Sequence, residues 1–225
     1  MGRIFKHIPK FITGSADERR ELLRRVWTRR LMRRIDYADN HRRLNALYYM
    51  KDPWGFTDPR EEMRFTETNR ILLREFGHVR TLLEVGCAEG HQTLHLMRAC
   101  GQLYGLDVSA KAVRRAKRRC PGAMLEVGDL TKAACFGRMT ERFDVVVACE
   151  VIYYIEDVTV ALQRLAELGR ACLVTYYSVH RKRLDHELAR IKFAARETIH
   201  CEDRSWSVVW WRNDGCMPVS ETVIT

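Results

Sequence analysis

Beyond Arg80 the sequence alternates between short, nearly uninterrupted apolar runs and longer amphipathic stretches. Runs of this length are typical of strands buried on both faces, and the stretches between them are long enough to form helices. Because parallel strands require crossover connections, this alternation favours a doubly wound, mostly parallel α/β sheet. The predicted strands are Thr81–Val85, Gln102–Asp107, Ala123–Val127, Phe143–Cys149 and Ala171–Tyr177, and the predicted helices are His91–Cys100, Ala110–Arg119, Thr159–Leu168 and Leu184–Ala195.

The end of the chain departs from this alternation. Glu197–Cys201 and Ser205–Arg212 are strand-like runs separated by a short polar turn, which predicts an antiparallel hairpin. The hairpin would complete a seven-stranded, Rossmann-like sheet with all strands after Arg80. Ahead of the sheet, the turn-rich residues 52–59 lead into a predicted helix from Arg60 to Phe76.

The N-terminal segment carries most of the positive charge. Residues 1–43 contain 13 Lys or Arg against 5 Asp or Glu, a surplus of 8 in a chain of net charge +10. From Asp17 to about Asp36 the spacing predicts one amphipathic helix, begun by a Ser15/Glu18 capping box. One interpretation is that the basic face of this helix is simply exposed to solvent. The alternative is that it binds an anionic membrane surface, a phosphate-bearing acceptor or RNA. RNA is not favoured, because no aromatic residues interleave with the arginines on the basic face.

Cysteine spacing and hydropathy favour a cytoplasmic protein. The eight cysteines are isolated, without a C-x-x-C pair, so neither a zinc ribbon nor a disulfide framework is expected. No apolar run approaches the roughly 20 residues that span a bilayer, and the first residues lack the apolar core of a secretory signal. Peripheral attachment to a membrane through the N-terminal helix is the alternative.

A glycine-bearing turn follows the first predicted strand. Residues 82–91, LLEVGCAEGH, pass from an apolar strand through a turn into a helix. Glycines there allow a ligand to approach the backbone, and the helix N-terminus offers free N–H groups. The turn does not match the dinucleotide fingerprint, because Ala88 and His91 replace two of its glycines.

Acidic residues end the next two strands. Asp107 ends the second strand, and Asp129 follows the third. In an open α/β sheet such residues face the ligand crevice. The Asp107 carboxylate can there accept hydrogen bonds from two ribose hydroxyls, and Asp129 can accept one from an adenine amine. Helix capping is the alternative explanation for each residue.

Taken in order, these motifs resemble class I S-adenosylmethionine-dependent methyltransferases over residues 80–212. The matching pieces are E-V-G-x-x-x-G from Glu84 to Gly90, L-D at Asp107, G-D-L at Asp129 and F-D-V-V-V-A from Phe143. The resemblance implies that the Glu84–Gly90 turn holds the methionine end of the cofactor, Asp107 the ribose, and Asp129 with Leu130 the adenine. Ala88 departs from the usual middle glycine. The cofactor-binding residues expected on this basis are Trp54, Arg64, Glu84, Gly86, Cys87, Ala88, Gly90, Asp107, Val108, Asp129 and Leu130.

A narrower resemblance covers residues 48 to 157. Asp-Pro-Trp-Gly-Phe at 52–56, Glu62 to Phe65, Gly-Cys-Ala-Glu-Gly and Glu-Val-Ile-Tyr-Tyr are similar to the nodulation-protein-S-like methyltransferases. Members of that group methylate an amine on a sugar-derived acceptor. Trp54 and Phe56 are then expected to form a lid, with Arg64 meeting the cofactor carboxylate. Packing of the aromatic turn against the sheet is the alternative.

The acceptor is expected beyond the fourth strand. Residues there face the transferred methyl group in this fold, so Glu150, Tyr153 and Tyr154 are the predicted catalytic residues. Glu150 is expected to act as a base or to bind a cationic amine, with helix capping or a surface position as the alternative. Tyr176 is predicted to line the same pocket, and Tyr177 and His180 are weaker candidates. No catalytic metal is predicted, because Tyr153 and Tyr154 do not suit Mg²⁺ or Zn²⁺.

We therefore predict a small-molecule methyltransferase acting on a nitrogen or oxygen nucleophile. An RNA methyltransferase that holds its substrate with the basic helix is the alternative enzyme, and a non-catalytic cofactor-binding module is an alternative of another class. The expected organisation is a basic helical extension over 1–45, a lid and connector helix over 46–79, and an S-adenosylmethionine-binding domain over 80–225.

Overall fold

The computed structural model of the protein describes residues 15–32, 41–132, 141–192 and 194–213. Its strands are β1 (Val79–Val85), β2 (Cys100–Asp107), β3 (Met124–Val127), β4 (Phe143–Cys149), β5 (Gly169–Tyr177), β6 (Ala195–Cys201) and β7 (Arg204–Arg212). They form one seven-stranded sheet in the order β3-β2-β1-β4-β5-β7-β6. All neighbours are parallel except the two pairs that involve β7. The predicted fold is confirmed, including its antiparallel hairpin.

Helices cover both faces of the sheet. They are α1 (Ala16–Met32), α2 (His41–Leu47), α3 (Pro59–Phe76), α4 (His91–Leu96), α5 (Ala110–Arg119), α6 (Val158–Leu168) and α7 (Arg181–Leu188), with single 3₁₀ turns at Met97–Ala99, Ile152–Tyr154 and Ser178–His180. Apolar residues of α3, α4 and α5 pack into the core on one face, and those of α6 and α7 pack on the other. No helix in the described ranges is long and apolar enough to cross a bilayer.

The apolar run of β4 shows why the central strands lack alternation. Val145 and Val147 pack into the first core, whereas Val146 and Ala148 pack into the second. Each side chain is therefore removed from water whichever face it points to, and burying a valine contributes about 1.5–3 kcal/mol.

The site lies between β1 and β4, where the direction of the strand order changes. The chain leaves β1 to form β2 and β3 on one side, then returns to form β4 on the other side of β1. The loops that follow β1, β2, β4 and β5 therefore meet at one edge of the sheet, and the crevice at this switch point is where open α/β sheets bind ligands.

Capping interactions set several helix boundaries. The predicted capping box is confirmed, since Ser15 N donates to Glu18 Oε2 (2.7 Å) and Glu18 N donates to Ser15 Oγ (3.2 Å). The predicted end of this helix near Asp36 lies outside the described residues. Helix α3 begins behind Asp58, which accepts from Arg60 N, and ends at Gly77 with φ 71°.

Three predicted boundaries were wrong because sheet pairing extends past them. The helix predicted over Leu184–Ala195 ends at Leu188, and Ala195, its predicted last residue, instead begins β6 opposite Trp210. Similarly, the helix predicted to reach Cys100 ends at Leu96, and Cys100 begins β2 opposite Val79. Because Val79 belongs to β1, the sheet also begins before Arg80. Ladder hydrogen bonds outweigh intrinsic helix preference at these positions.

Candidate functional site

A cavity of about 640 Å³ opens at the carboxyl ends of β1, β2, β4 and β5. Its volume lies within the roughly 300–1,000 Å³ that is usual for ligand pockets. It is lined by the loops of the sheet, by helix α2 with the turn that follows α2, by the hairpin strand β7, and by single residues of α3 and α6.

The turn after β1 forms the floor of the cavity. Gly86 (φ 78°) and Ala88 (φ 47°) line it in left-handed conformations. Gly90 (φ 81°) has another purpose, because a Cβ atom there would lie 3.1 Å from Ala116 Cα in α5. Cys87 is buried behind the turn and, like Gly90, does not line the cavity.

Glu84 holds this turn against α4 and does not line the cavity. Its Oε2 accepts a hydrogen bond from Thr93 Oγ1 at 2.6 Å. The side chain is 1% exposed. Burial raises the pKa of Glu84 to about 7, with the nearby Asp107 adding to the shift. The carboxyl group therefore exchanges its proton close to neutral pH.

Asp107 faces the cavity at the end of β2. Its Oδ2 accepts from Ala88 N at 3.0 Å and its Oδ1 from Ser109 N at 2.8 Å. Burial raises the pKa of Asp107 to about 6 despite these two bonds. Each oxygen keeps a second lone pair, so the carboxylate can still accept hydroxyl donors. Val108, next in sequence, also lines the cavity.

Asp129 and Leu130 line the cavity beyond β3. Asp129 Oδ1 accepts from the amide and the hydroxyl of Thr131. Its Oδ2 lies 3.4 Å from His41 Nε2 and 3.6 Å from Lys132 Nζ. Burial acts to raise the pKa of Asp129, but the bonds from Thr131 outweigh it and the pKa is lowered. Asp129 therefore stays an ionised acceptor.

Helix α2 roofs this half of the cavity, which the sequence reasoning missed. His41, Leu44 and Tyr48 line the cavity, and Asn45 Oδ1 accepts from Ser109 Oγ at 2.8 Å. The boundary proposed at residue 45 thus cuts through a helix that belongs to the site. The available signal was the apolar spacing of Leu44, Leu47 and Tyr48.

Trp54 and Phe56, which are predicted to form a lid, both face the cavity. Trp54 Nε1 donates to Tyr48 Oη at 2.9 Å, and its ring centroid lies 5.4 Å from that of Tyr154. Asp52 shapes the turn, because its Oδ1 accepts from Phe56 N at 2.7 Å. The turn that carries Trp54 and Phe56 therefore connects Tyr48, which follows α2, with Tyr154 on the opposite side of the cavity.

Arg64 is 1% exposed and does not line the cavity. Its Nε donates to Glu61 Oε2 at 2.9 Å and its Nη1 to Gln92 Oε1 at 3.0 Å. Glu61 does line the cavity, so the guanidinium holds a cavity carboxylate from behind. Gln92 Nε2 is buried without a partner among the described residues.

Glu150 occupies a rigid position beyond β4. It has φ 56° and lines the cavity. Three donors lie 3.0 Å from its carboxylate oxygens: Tyr153 Oη, Thr175 Oγ1 and Tyr177 N. Burial raises the pKa of Glu150, although Arg64 partly offsets this. The group is thus a fixed acceptor whose proton affinity exceeds that of an ordinary glutamate.

Aromatic side chains surround Glu150. Tyr153, Tyr154 and Tyr177 line the cavity. The prediction that Tyr176 lines it was wrong: Tyr176 is fully buried in the core, where its hydroxyl donates to Asp185. Alternate side chains of a strand point to opposite faces, so the next residue, Tyr177, faces the cavity instead of Tyr176. His180 does not line the cavity but stacks on Tyr153 at 4.0 Å.

Two residues of β7 complete the wall and were not anticipated. Arg204 and Trp206 both line the cavity. Arg204 Nη1 donates to Glu61 Oε1 at 3.3 Å, and its Nη2 lies 3.7 Å from Asp58 Oδ2. The hairpin therefore brings a paired cation to the half of the cavity that holds Glu150.

Asp52, Glu89 and His91 bring potential metal-ligand atoms within 4.8 Å of one another. The charge of Glu89 is already matched, because Glu89 pairs with Arg115, and it also accepts from Asp52 N at 3.0 Å. Arg119 lies 3.0 Å from His91 Nδ1 and opposes a further cation. These contacts hold the turn at residues 52–56 against the turn between β1 and α4.

Comparison with known proteins agrees with this geometry. A sequence model of the family "Nodulation protein S (NodS)" matches residues 36–182. Nodulation protein S of Bradyrhizobium diazoefficiens is 34% identical over 121 residues, covering 53% of this chain and 57% of that protein. Nodulation protein S of Sinorhizobium fredii is 34% identical over 128 residues, covering 55% and 57%. The chain thus spans less than two thirds of the length of these relatives.

Solved structures share the fold. The N-methyltransferase NodS from Bradyrhizobium japonicum WM9, in complex with S-adenosyl-L-homocysteine, superposes with a TM-score of 0.64 at 23% identity, covering 78% of this chain and 99% of that one. Magnesium protoporphyrin IX methyltransferase from Synechocystis PCC 6803 superposes with a TM-score of 0.57 at 15% identity, covering 85% and 95%. Because the family model matches more than half of the chain, the protein belongs to the nodulation protein S family and has the fold of class I S-adenosylmethionine-dependent methyltransferases.

Proposed function

We propose that the protein transfers a methyl group from S-adenosylmethionine to the amine of a small, sugar-like acceptor. The observation that carries this proposal is the Glu150 carboxylate, fixed by three donors inside an aromatic cavity. An amine must lose a proton to attack, and a buried carboxylate of raised pKa is suited to accept it. Family membership and the NodS N-methyltransferase structure support the same reaction.

The cofactor half of the cavity fits S-adenosylmethionine. Asp107 keeps lone pairs for ribose hydroxyls, and Asp129 and Leu130 offer an acceptor beside an apolar wall. When bound, the cofactor supplies a sulfonium-activated methyl group. The protein then has to orient the acceptor and exclude water.

The acceptor half suits a cationic or polar ring. Tyr153, Tyr154, Tyr177 and Trp206 present aromatic surface there, and Glu150 supplies negative charge. Aromatic faces attract ammonium groups and pack against sugar rings. Trp54 and Tyr154 close over this space and keep water from the attacking nitrogen.

A methyl-transfer assay tests the proposal. Tritiated S-adenosylmethionine is incubated with amino-sugar oligosaccharides, with their N-acetylated forms and with bulk RNA. Saturable labelling of the free amino sugars alone is the expected result. Labelling of RNA, or equal labelling of the N-acetylated forms, would contradict it. Cofactor binding without turnover on any acceptor would instead indicate a non-catalytic module.

The pH profile of kcat/KM should show the ionisation of Glu150. The base works only when ionised, so activity falls as the pH drops through its pKa. Since burial raises that pKa above 4.5, the acidic limb should lie at higher pH than for a solvent-exposed glutamate. The Glu150→Asp variant should keep this acidic limb, whereas in Glu150→Gln it should be replaced by a limb at the pKa of the amine acceptor itself, which must then lose its proton before it reacts. An acidic limb at the wild-type position in the Gln variant would exclude this group.

Asp107→Ala is expected to weaken cofactor binding by about 1.5–3 kcal/mol, the scale of charge-assisted hydrogen bonds. Calorimetry with S-adenosylhomocysteine measures the loss, and Asp144→Ala is a control on a strand acid away from the cavity. Unchanged affinity in Asp107→Ala would place the ribose elsewhere. If the protein bound NAD with micromolar affinity and did not bind S-adenosylhomocysteine, that result would contradict the assigned cofactor.

Two truncations separate the roles of α1 and α2. A chain of residues 41–225 should fold and bind S-adenosylhomocysteine as the full chain does. A chain of residues 46–225 should keep the sheet but bind about 10-fold or more weakly, because it loses His41, Leu44 and Asn45 from the roof. Circular dichroism and calorimetry provide the readouts. If residues 41–225 fail to fold, α1 completes the core.

A further inference from the structure

Helix α5 is strongly basic, which was not apparent from the overall charge balance. Its ten residues, AKAVRRAKRR, include six Lys or Arg and no acid. Arg115 is used inside the protein, where it donates to Tyr48 O and Met50 O. Arg114, Lys117 and Arg118 are exposed and pair with no carboxylate in the described part of the chain. The outer face of α5 is therefore a cluster of cations that have no carboxylate partner among the described residues.

The elements before the sheet carry exposed apolar side chains, one of which contacts α5. Four of the ten exposed large apolar residues of the described ranges fall between positions 23 and 49: Leu23 (50% exposed), Val26 (53%), Trp27 (37%) and Tyr49 (71%). The first three belong to α1, where Arg19 and Arg25 are also exposed. The side chain of Lys111 in α5 packs over the Tyr49 ring at 3.7 Å.

Contacts within the N-terminal region connect the elements that carry these groups. Helix α1 contacts α2, and α2 contacts α5. Arg24 and Thr28 of α1 donate to Pro53 O, which fixes α1 against the turn at residues 52–56. We define the basic–apolar surface as Leu23, Val26, Trp27 and Tyr49 together with the outer cations of α5.

We propose that the basic–apolar surface docks the protein onto an anionic lipid bilayer. The cations complement acidic headgroups, and the exposed aliphatic and aromatic side chains can be removed from water among the headgroups and upper acyl chains. A polynucleotide would satisfy the cations but would leave Leu23 and Val26 in water. Since α1 is fixed to the turn that carries Trp54, docking would hold the cavity close to the membrane surface.

Vesicle sedimentation of the full chain tests this proposal. The probes are phosphatidylcholine vesicles with and without about one third phosphatidylglycerol. Binding only to the anionic vesicles is expected, and it should weaken steeply between about 0.1 M and about 1 M salt. Retention of RNA without binding to anionic vesicles would overturn the proposal. Equal binding to neutral vesicles would also overturn it, because charge would then have no part.

Matched variants separate this surface from general positive charge. Lys117→Gln/Arg118→Gln should weaken partitioning about 10- to 30-fold, whereas Lys182→Gln/Lys192→Gln, which removes two exposed charges associated with the α7 region, should change it little. Trp27→Ser should weaken binding about 10-fold and abolish any blue shift of tryptophan fluorescence. Equal losses in both charge variants, or unchanged binding of Trp27→Ser, would show that docking does not use this surface.

Discussion

Replacing Glu150 with Gln is expected to lower kcat by about 100-fold or more, with the affinity for S-adenosylhomocysteine nearly unchanged. The size follows from general base catalysis, which typically contributes about 10²–10⁴-fold. A neutral amide cannot accept the proton of the attacking amine. It also cannot accept from all three groups that hold the carboxylate, which are Tyr153, Thr175 and the Tyr177 amide. Single-turnover methyl transfer measures the chemical step directly.

Tyr153→Phe and Thr175→Val distinguish the base from its supports. Each removes one hydrogen bond but keeps the carboxylate, so each should reduce kcat less than Glu150→Gln does. If Glu150→Gln kept full activity while Tyr153→Phe abolished it, the phenol would be the base and a hydroxyl acceptor would be favoured. Unchanged thermal stability in all three variants would show that the effect is catalytic.

The parts of the site that the sequence could predict are those set by topology. Asp107, Asp129 and Glu150 follow parallel strands, and the carboxyl ends of such strands meet at one edge whatever the loops do. The long apolar runs of β1 and β4 marked the strands, because both faces of each are covered. These inferences needed only local patterns and one general rule of architecture.

Contacts between distant segments could not be predicted in this way. Asn45 meets Ser109 through tertiary packing alone, and Arg204 reaches Glu61 because the antiparallel hairpin returns to the cavity. Neither pairing leaves a periodic signal in the sequence. The choice of Tyr176 over Tyr177 failed for another reason: a strand buried on both faces shows no alternation that would reveal which side chain faces the ligand.

Gly86→Ala is expected to destabilise the protein by about 3 kcal/mol and to weaken cofactor binding. Two penalties combine. A residue other than glycine at φ 78° costs about 1–2 kcal/mol. The added Cβ would also lie 2.7 Å from Val151 Cγ2, an overlap that typically costs a further 1–3 kcal/mol or so. Because Gly86 lines the cavity, displacement of this turn should also lower the affinity for S-adenosylhomocysteine. Urea unfolding and calorimetry measure the two effects.

The chain contains a control that isolates the backbone penalty. Gly77 has φ 71°, but a Cβ atom there would have no neighbour within 4 Å. Gly77→Ala should therefore cost only about 1–2 kcal/mol and leave cofactor affinity intact. Adding Val151→Ala to Gly86→Ala should recover only part of the steric cost, because it removes the methyl groups at 2.7 and 3.4 Å but keeps Val151 Cβ, 2.8 Å from the new Cβ. The double-mutant cycle measures that coupling. If Gly86→Ala cost no more than Gly77→Ala, Val151 would be free to move aside, and the turn would not be held as tightly as its packing implies.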